Sequence, residues 1–385
     1  MIYHLLPELE AFSAFRGGAL AKNIANIMRF DSSRIVVCHA ADDTWSYPSE
    51  RVMVLPELHR YGRMRGRRFY PAWVTGRLLR YAFRPLLSKL QHGDIVWCHN
   101  QPRFAAALEQ AVHRKGAKFL YHCHGGSGTR ATGIAFRSFT ADAYIFVSDA
   151  LRQKWLRLCP FLENTYFVHN GADEARFYPL PKKANQENAN PTILYIGQLR
   201  PIKGVHVLMA AMRILQERKV DVLCRVVGSS FSGGSKQTPY VKQLVKNSPS
   251  NVKFEGYRIQ TEVAEEYRSA DILCCPSVWQ EPFGNVNIEA MACGIPVVAS
   301  RVGGIPEIAA EGGVILVEPN CAFALADALQ TLVEDKCLRA RVGMDGLSSF
   351  RRRFTWSAIF KQYQDVTDSL LAGTLSQSSE TISQP

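Results

Sequence analysis

The stretch "EPFGNVNIEAMACGIPVV", residues 281–298, decides how the chain is read. It sets two carboxylates, Glu281 and Glu289, around a glycine–asparagine step and closes on an apolar, β-branched run. Just upstream, "DILCCPS" (271–277) reads as a buried strand. "NVNIEAMACG" reads as a helix, with Val286, Ala290 and Met291 on one side and Gly294 as its C-terminal cap. Gly284 and Asn285 then stand at the helix start, where N–H groups lack intrahelical acceptors and the dipole favours an anion. Two acids beside a diphosphate make sense if they accept hydrogen bonds from diols attached to it. The segment therefore suits a nucleotide sugar, with phosphate on the helix start and one acid for each sugar. The plain alternative is an exposed helix start whose acids sit favourably near the dipole.

Working outward, short apolar runs alternate with longer amphipathic stretches. The strand candidates are 34–40, 94–100, 117–123, 143–148 and 165–170, then 192–197, 222–228, 251–256, 271–277, 295–300 and 313–318. Continuous apolarity marks strands covered on both faces, as in parallel sheets, and strand–helix alternation predicts doubly wound α/β architecture. "PLPKKANQENANP" (179–191) is polar, carries three prolines and has no periodicity, so it reads as a linker. The expected division is a first domain over 1–178, the linker, a second domain over 192–354, and a C-terminal helix over 355–371 packing back towards the first domain. A disordered polar tail over 372–385 completes it. Two such domains would face each other across a cleft at the carboxyl ends of their sheets.

The chain has 385 residues, 47% hydrophobic and 21% charged, which fits a globular enzyme of two domains. No run approaches the ~20 apolar residues of a membrane span, and the N-terminal stretch, broken by Pro7 and Glu8, does not read as a signal peptide. Ten cysteines without a C-x-x-C pair suggest reduced thiols, and the expected location is cytoplasmic, extending to the inner face of the cytoplasmic membrane. In "HCH" (122–124) a strand would put His122 and His124 on one face and Cys123 on the other, so no metal is expected there. The net charge of +12 is uneven: residues 1–180 hold 24 lysines and arginines against 14 acids. An anionic partner therefore belongs to the first half.

Three further places suit ligand contact. "LYIGQLRPIKGVHVLMAAMRIL" ends a strand at Gly197, carries Gln198, Arg200 and Lys203 in a loop, and starts a helix near Gly204. Loop cations and a helix N-terminus make a second anion site. Gly17 and Gly18 precede a helix with Leu20, Ile24, Ile27 and Met28 on its buried stripe, and paired glycines let the backbone approach a ligand. His124, followed by Gly125 and Gly126, lies just past a strand end.

Taken in order, Gly-Gly, His-Gly, "VHNGADEARFYP" (168–179), "GQLRPIKG" and "EPFG" with E-x7-E resemble the retaining glycosyltransferases of family 4, which have the GT-B fold. The resemblance covers nearly the whole chain and is most specific over 192–310. It implies that Glu289 binds the nucleotide ribose and Glu281 the donor sugar. Gly284, Asn285 and Val286 would bind the donor through backbone N–H groups, and Lys203 would neutralise the diphosphate. Gly17 and Gly18 would approach from the first domain, with His124 on the acceptor side near the reacting carbon. The family usually has arginine where this chain has Gln198, which leaves Arg200 as the substitute cation. The implied reaction moves a hexose from a nucleotide diphosphate sugar to an acceptor hydroxyl, a sugar or a lipid-linked glycan of the cell envelope. It uses no metal or cofactor, since no D-x-D-like pair lies at a strand end and Asp42-Asp43 reads as turn chemistry. The resemblance also implies front-face attack, with the leaving phosphate taking the acceptor's proton.

The rival readings are a GT-B epimerase or phosphorylase and, less well supported, a basic nucleic-acid-binding protein. The segment 60–89 carries nine cations, no acid and six aromatic rings. Val74, Leu78, Leu79 and Ala82 could form a stripe bordered by Arg77, Arg80 and Arg84. That pattern predicts docking on an anionic membrane.

Overall fold

The computed structural model describes all residues except 9, 14–17, 43–46, 60–71, 126–135, 182–189, 231–236, 260 and 375–385. The chain divides into two units, Met1–His169 with Ile359–Pro385, and Asn170–Ala358. The first unit thus ends ahead of the expected limit at 178. Residues just after His169 are bound to the second unit instead: Ala172 bridges Thr355 in parallel, and its N–H donates to the Phe354 carbonyl at 3.0 Å. Most of the expected linker and nearly all of the expected tail lie outside the described residues, as do Gly17, Asp43 and Gly126.

The first unit is built on seven parallel strands: β1 (Ile2–Leu5), β2 (Arg34–Cys38), β3 (Val52–Val54), β4 (Ile95–His99), β5 (Lys118–Cys123), β6 (Ala143–Phe146) and β7 (Thr165–Phe167). Their order is β3-β2-β1-β4-β5-β6-β7. All residues of β1, β2 and β4 are buried, as strands covered on both faces are, with His4, Arg34 and His99 among their apolar side chains. The helix Ala19–Met28 lays Ile24 and Met28 against Val36 and Cys38.

The second unit repeats the plan with β8 (Thr192–Ile196), β9 (Leu223–Val227), β10 (Val252–Gly256), β11 (Ile272–Cys275), β12 (Val297–Ser300) and β13 (Val314–Val317). The order is β10-β9-β8-β11-β12-β13, again all parallel. Its core joins Leu208, Met212 and Leu215 of the helix Val205–Glu217 to Leu325 and Leu329 of the helix Ala322–Glu334. In each sheet the chain winds outward and then returns to its first strand. The switch points are β1/β4 and β8/β11, and ligands of such sheets bind beyond the carboxyl ends there. Each of the eleven strand candidates contains a strand, whereas β1 and β3 were not anticipated.

The amphipathic helix Ala72–Ala82 departs from the expected membrane stripe. Leu79 and Ala82 are buried in the first unit, and Phe83 beyond them packs edge-on against Phe104 at 5.0 Å. Leu78 and Tyr81 remain exposed beside exposed Arg77, Arg80 and Arg84. The aromatic and basic run before this helix lies outside the described residues.

Candidate active site

In the second unit the loops following β8 and β11 meet at the switch point. Gly204 has φ +71°, and a Cβ there would lie 1.7 Å from the Pro276 carbonyl oxygen, so only glycine allows this approach. Beside it the Val278 N–H donates to the Ile202 carbonyl at 3.0 Å. This crossing carries Lys203 to Glu281, and their Nζ–Oε1 distance is 2.6 Å. Ser277 Oγ donates to the same carboxylate oxygen at 2.7 Å. Glu281 is buried, whereas Lys203 is about a quarter exposed and stands over the Trp279 ring at 5.6 Å. A buried carboxylate is tolerable because it is paired and hydrogen-bonded.

Glu281 is fixed through its backbone as well. The Gly304 N–H donates to its carbonyl at 2.9 Å, and the Gly303 N–H donates to Gln280 Oε1 at 2.9 Å. Gly303 has φ +55°, and a Cβ there would fall 1.9 Å from the Glu281 carbonyl oxygen.

Gly284 caps the helix Asn285–Ala292 with φ +106°. Its carbonyl accepts from Asn287 Nδ2 at 3.0 Å, and Asn285 Oδ1 accepts from Asn170 Nδ2 at 3.0 Å. The first turn of this helix thus presents Gly284, Asn285 and Val286 beside Glu281. Glu289 lies one turn further on, where Oε2 accepts from Tyr267 Oη–H at 2.6 Å. Burial and the Glu289 charge both hold the Tyr267 hydroxyl well above the usual tyrosine range, so it stays a donor. Burial lowers the Arg176 guanidinium, and Glu289 pulls it back up. Gln198 and Arg200 are exposed on the β8 loop, where the Gln198 carbonyl accepts from Tyr195 Oη–H at 2.8 Å.

In the first unit, Gly18 precedes the helix Ala19–Met28, but Glu10 already occupies that N-terminus. Its Oε1 accepts from the Ala21 N–H at 2.8 Å, and a Cβ on Gly18 would lie 2.7 Å from the same oxygen. Burial raises the Glu10 carboxyl above its usual value, opposed by backbone N–H groups including those of Ala21 and Gly18. This occupant was not legible beforehand, because Glu10 sits in a stretch without periodicity.

His124 follows β5 and is half-buried, with His122 behind it at 3.8 Å between ring centroids. Its Nε2 lies 3.0 Å from His99 Nδ1. Burial pushes the His124 imidazole down to about 3. Among the described residues, His99, His122 and His124 form the cluster whose nitrogens, all within 4.8 Å of one another, could hold an ion. Cys123 turns away from them, its Sγ 3.3 Å from the Gly125 carbonyl oxygen.

The second unit brings Glu281, Glu289, Gly284, Asn285, Val286 and Lys203, all singled out in the sequence, to one switch point. Ser277, Tyr267 and Gly303, which contact these residues there, were not singled out. The contact of Gly303 with Glu281 depends on how the loop after β12 packs, which the local sequence does not show.

Residues 179–346 match the family model "Glycosyl transferases group 1", and 32–176 match "Glycosyltransferase Family 4". A D-inositol 3-phosphate glycosyltransferase of Corynebacterium glutamicum is 33% identical over 217 residues, 53% of this chain and 51% of that protein. An alpha-maltose-1-phosphate synthase of Mycobacterium tuberculosis is 31% identical over 244 residues, 59% of this chain and 62% of that protein. The matched stretch thus spans about half to three-fifths of these relatives. Among solved structures, Anabaena Alr3699/HepE in complex with UDP and glucose superposes with a TM-score of 0.72 at 22% identity, covering 96% of this chain and 99% of that one. Sucrose-phosphate synthase from Thermosynechococcus elongatus gives 0.76 at 22% identity, covering 97% and 99%.

Proposed function

The chain belongs to the GT-B glycosyltransferases, and from that premise we propose that it moves a hexose from a nucleotide diphosphate sugar to an acceptor hydroxyl with retention of anomeric configuration. The observation that carries this reading is the Lys203–Glu281 pair at 2.6 Å, set at the β8/β11 switch point beside a helix N-terminus. The two charges satisfy each other without ligand. A diphosphate would draw Lys203 to itself and leave Glu281 to accept from a sugar hydroxyl. Gly284, Asn285 and Val286 would add backbone N–H groups at the positive end of the dipole. Glu289, oriented by Tyr267, would accept from the ribose diol. Gln198 is neutral, so Arg200 is the cation left to supplement Lys203 on that loop.

Charge develops on the departing diphosphate and on an oxocarbenium-like carbon, and fixed donors aimed at the first are worth more than mobile water. Lys203 and the helix start supply them without a metal ion, and the leaving phosphate takes the acceptor's proton. Exposed Leu78 and Tyr81 beside Arg77, Arg80 and Arg84 support a lipid-linked acceptor of cell-envelope glycan synthesis, met at an anionic membrane surface.

UDP-glucose is the first donor to try, with release of free UDP measured with and without acceptor glycans in EDTA. Release that depends on acceptor and survives EDTA is expected, and Lys203→Ala should cut the rate about 100-fold. Interconversion of the donor sugar without acceptor would point to an epimerase, and phosphate-dependent release to a phosphorylase.

A further inference from the structure

A line of four buried or half-buried cationic and imidazole side chains runs through the first unit. Arg34 Nη1 lies 3.1 Å from His4 Nε2, His4 Nδ1 lies 3.0 Å from His99 Nε2, and His99 Nδ1 lies 3.0 Å from His124 Nε2. Arg34 is itself held, with Nε donating to Asp31 Oδ2 at 2.9 Å and its guanidinium over Trp97 at 5.5 Å and Phe360 at 5.2 Å. The family resemblance places His124 on the acceptor side, and the proposed mechanism gives Arg34, His4 and His99 no part.

A guanidinium can only donate and stays protonated. His4 Nε2 must therefore accept, which puts the single proton of the neutral ring on Nδ1. That Nδ1–H donates to His99 Nε2, which by the same logic keeps its own proton on Nδ1. The His99 Nδ1–H in turn donates to His124 Nε2. We infer that Arg34, through His4 and His99, fixes the proton of His124 on Nδ1, so that His124 meets substrate as a neutral hydrogen-bond donor and not as a base. A free imidazole in water prefers the opposite tautomer, so the line imposes what the ring alone would not choose. Protonating His124 requires a proton on the nitrogen that already accepts from His99, and so requires the line to break. Burial acts in the same sense, lowering His4 and His99 well below the ordinary histidine range, with Arg34 adding to the effect on both. Arg34, His4 and His99 are then positioning residues. His124 presents an N–H suited to a hydroxyl or phosphate oxygen, consistent with a reaction in which the leaving group collects the proton.

That His124 meets substrate rests on the proposed transferase reading, whereas its tautomer does not. The test is long-range 1H–15N correlation spectroscopy of the full chain labelled at histidine ring nitrogens, at pH 7, with His124→Gln identifying the His124 signals. The wild type should show His124 protonated on Nδ1 and unchanged by EDTA. Arg34→Lys, which keeps a donor-only cation, should preserve that pattern. Arg34→Gln offers an amide oxygen to His4 and should shift His124 towards the Nε2–H form. His99→Phe, which keeps a ring beside Trp97, should release the tautomer by a separate route. Overturning results are an Nε2–H or cationic His124 in the wild type, EDTA-dependent signals that reveal a bound metal, or no change in either Arg34→Gln or His99→Phe. The expected spectra without acceptor-dependent UDP release would uphold the relay while removing the transferase reading.

Discussion

Tyr267 and Glu289 form a pair in which burial and charge act together on the phenol, keeping it a donor to the carboxylate at 2.6 Å. Under the proposed reading the ribose diol would supply Glu289 with a further donor. A charge-assisted hydrogen bond contributes about 1.5–3 kcal/mol, so Glu289→Gln should weaken UDP binding roughly 10- to 150-fold in calorimetry. Tyr267→Phe should weaken it less, because the carboxylate remains but loses its orientation. Equal UDP affinity for wild type and Glu289→Gln would remove the ribose assignment. Glu281→Gln, by contrast, should leave UDP affinity unchanged or improved, since Lys203 is freed, while turnover falls. These acids were legible because Glu281, Gly284 and Glu289 share one short segment whose chemistry is local. Tyr267 was not, because it lies on a different helix and meets Glu289 only through the packing of the sheet's covering layer.

Among elements, the loop after β12 has the clearest mechanical role, since it holds the Glu281 backbone while Lys203 holds the carboxylate. Gly303→Ala combines a positive φ with a Cβ 1.9 Å from the Glu281 carbonyl oxygen, and no flexible side chain can yield there. We expect a loss of about 1–3 kcal/mol in stability by urea denaturation together with a large fall in turnover. A variant with wild-type turnover would show that Glu281 needs no such support. Strands in this fold were easy to read wherever burial on both faces leaves an unbroken apolar run, as in β4 and β11. β1 escaped because its four residues include His4 and abut Pro7, so the run looks too short and too polar. β3 escaped although it is apolar throughout: it is an edge strand of only three residues, none buried, too short to stand out as a run. The charged helix over 72–82 was legible only in part, since a stripe that suits a membrane also suits a core: Leu79 and Ala82 went to the core while Leu78 stayed exposed.

At the scale of the molecule, the first unit concentrates imidazoles where protons are unwelcome. Burial lowers His4, His99 and His122 well below 6.5 and His124 to about 3. The unfolded chain then binds protons that the folded chain refuses. This contribution to stability is complete above about pH 6.5 and is lost as the pH falls towards the folded values. Each such ring costs about 1.4 kcal/mol per pH unit below its free value. The lowered carboxylates Asp31, Asp142 and Glu255 act in the same direction, but only near and below the ordinary carboxylate range. The urea midpoint should therefore drop steeply between pH 6.5 and 5, and His99→Phe should flatten that slope. A midpoint constant from pH 7 to 5 would show that these rings are not kept neutral by the fold. The same neighbourhood sets an order on biosynthesis. Phe360 covers the Arg34 guanidinium and Tyr363 packs edge-on against Trp97 at 5.3 Å, yet both belong to a helix that starts at Trp356. As the chain leaves the ribosome from its N-terminus, residues 170–358 emerge complete before those two rings appear. The unit begun first is thus the last to close its core, and meanwhile a charged guanidinium and an indole wait for cover from a helix not yet made.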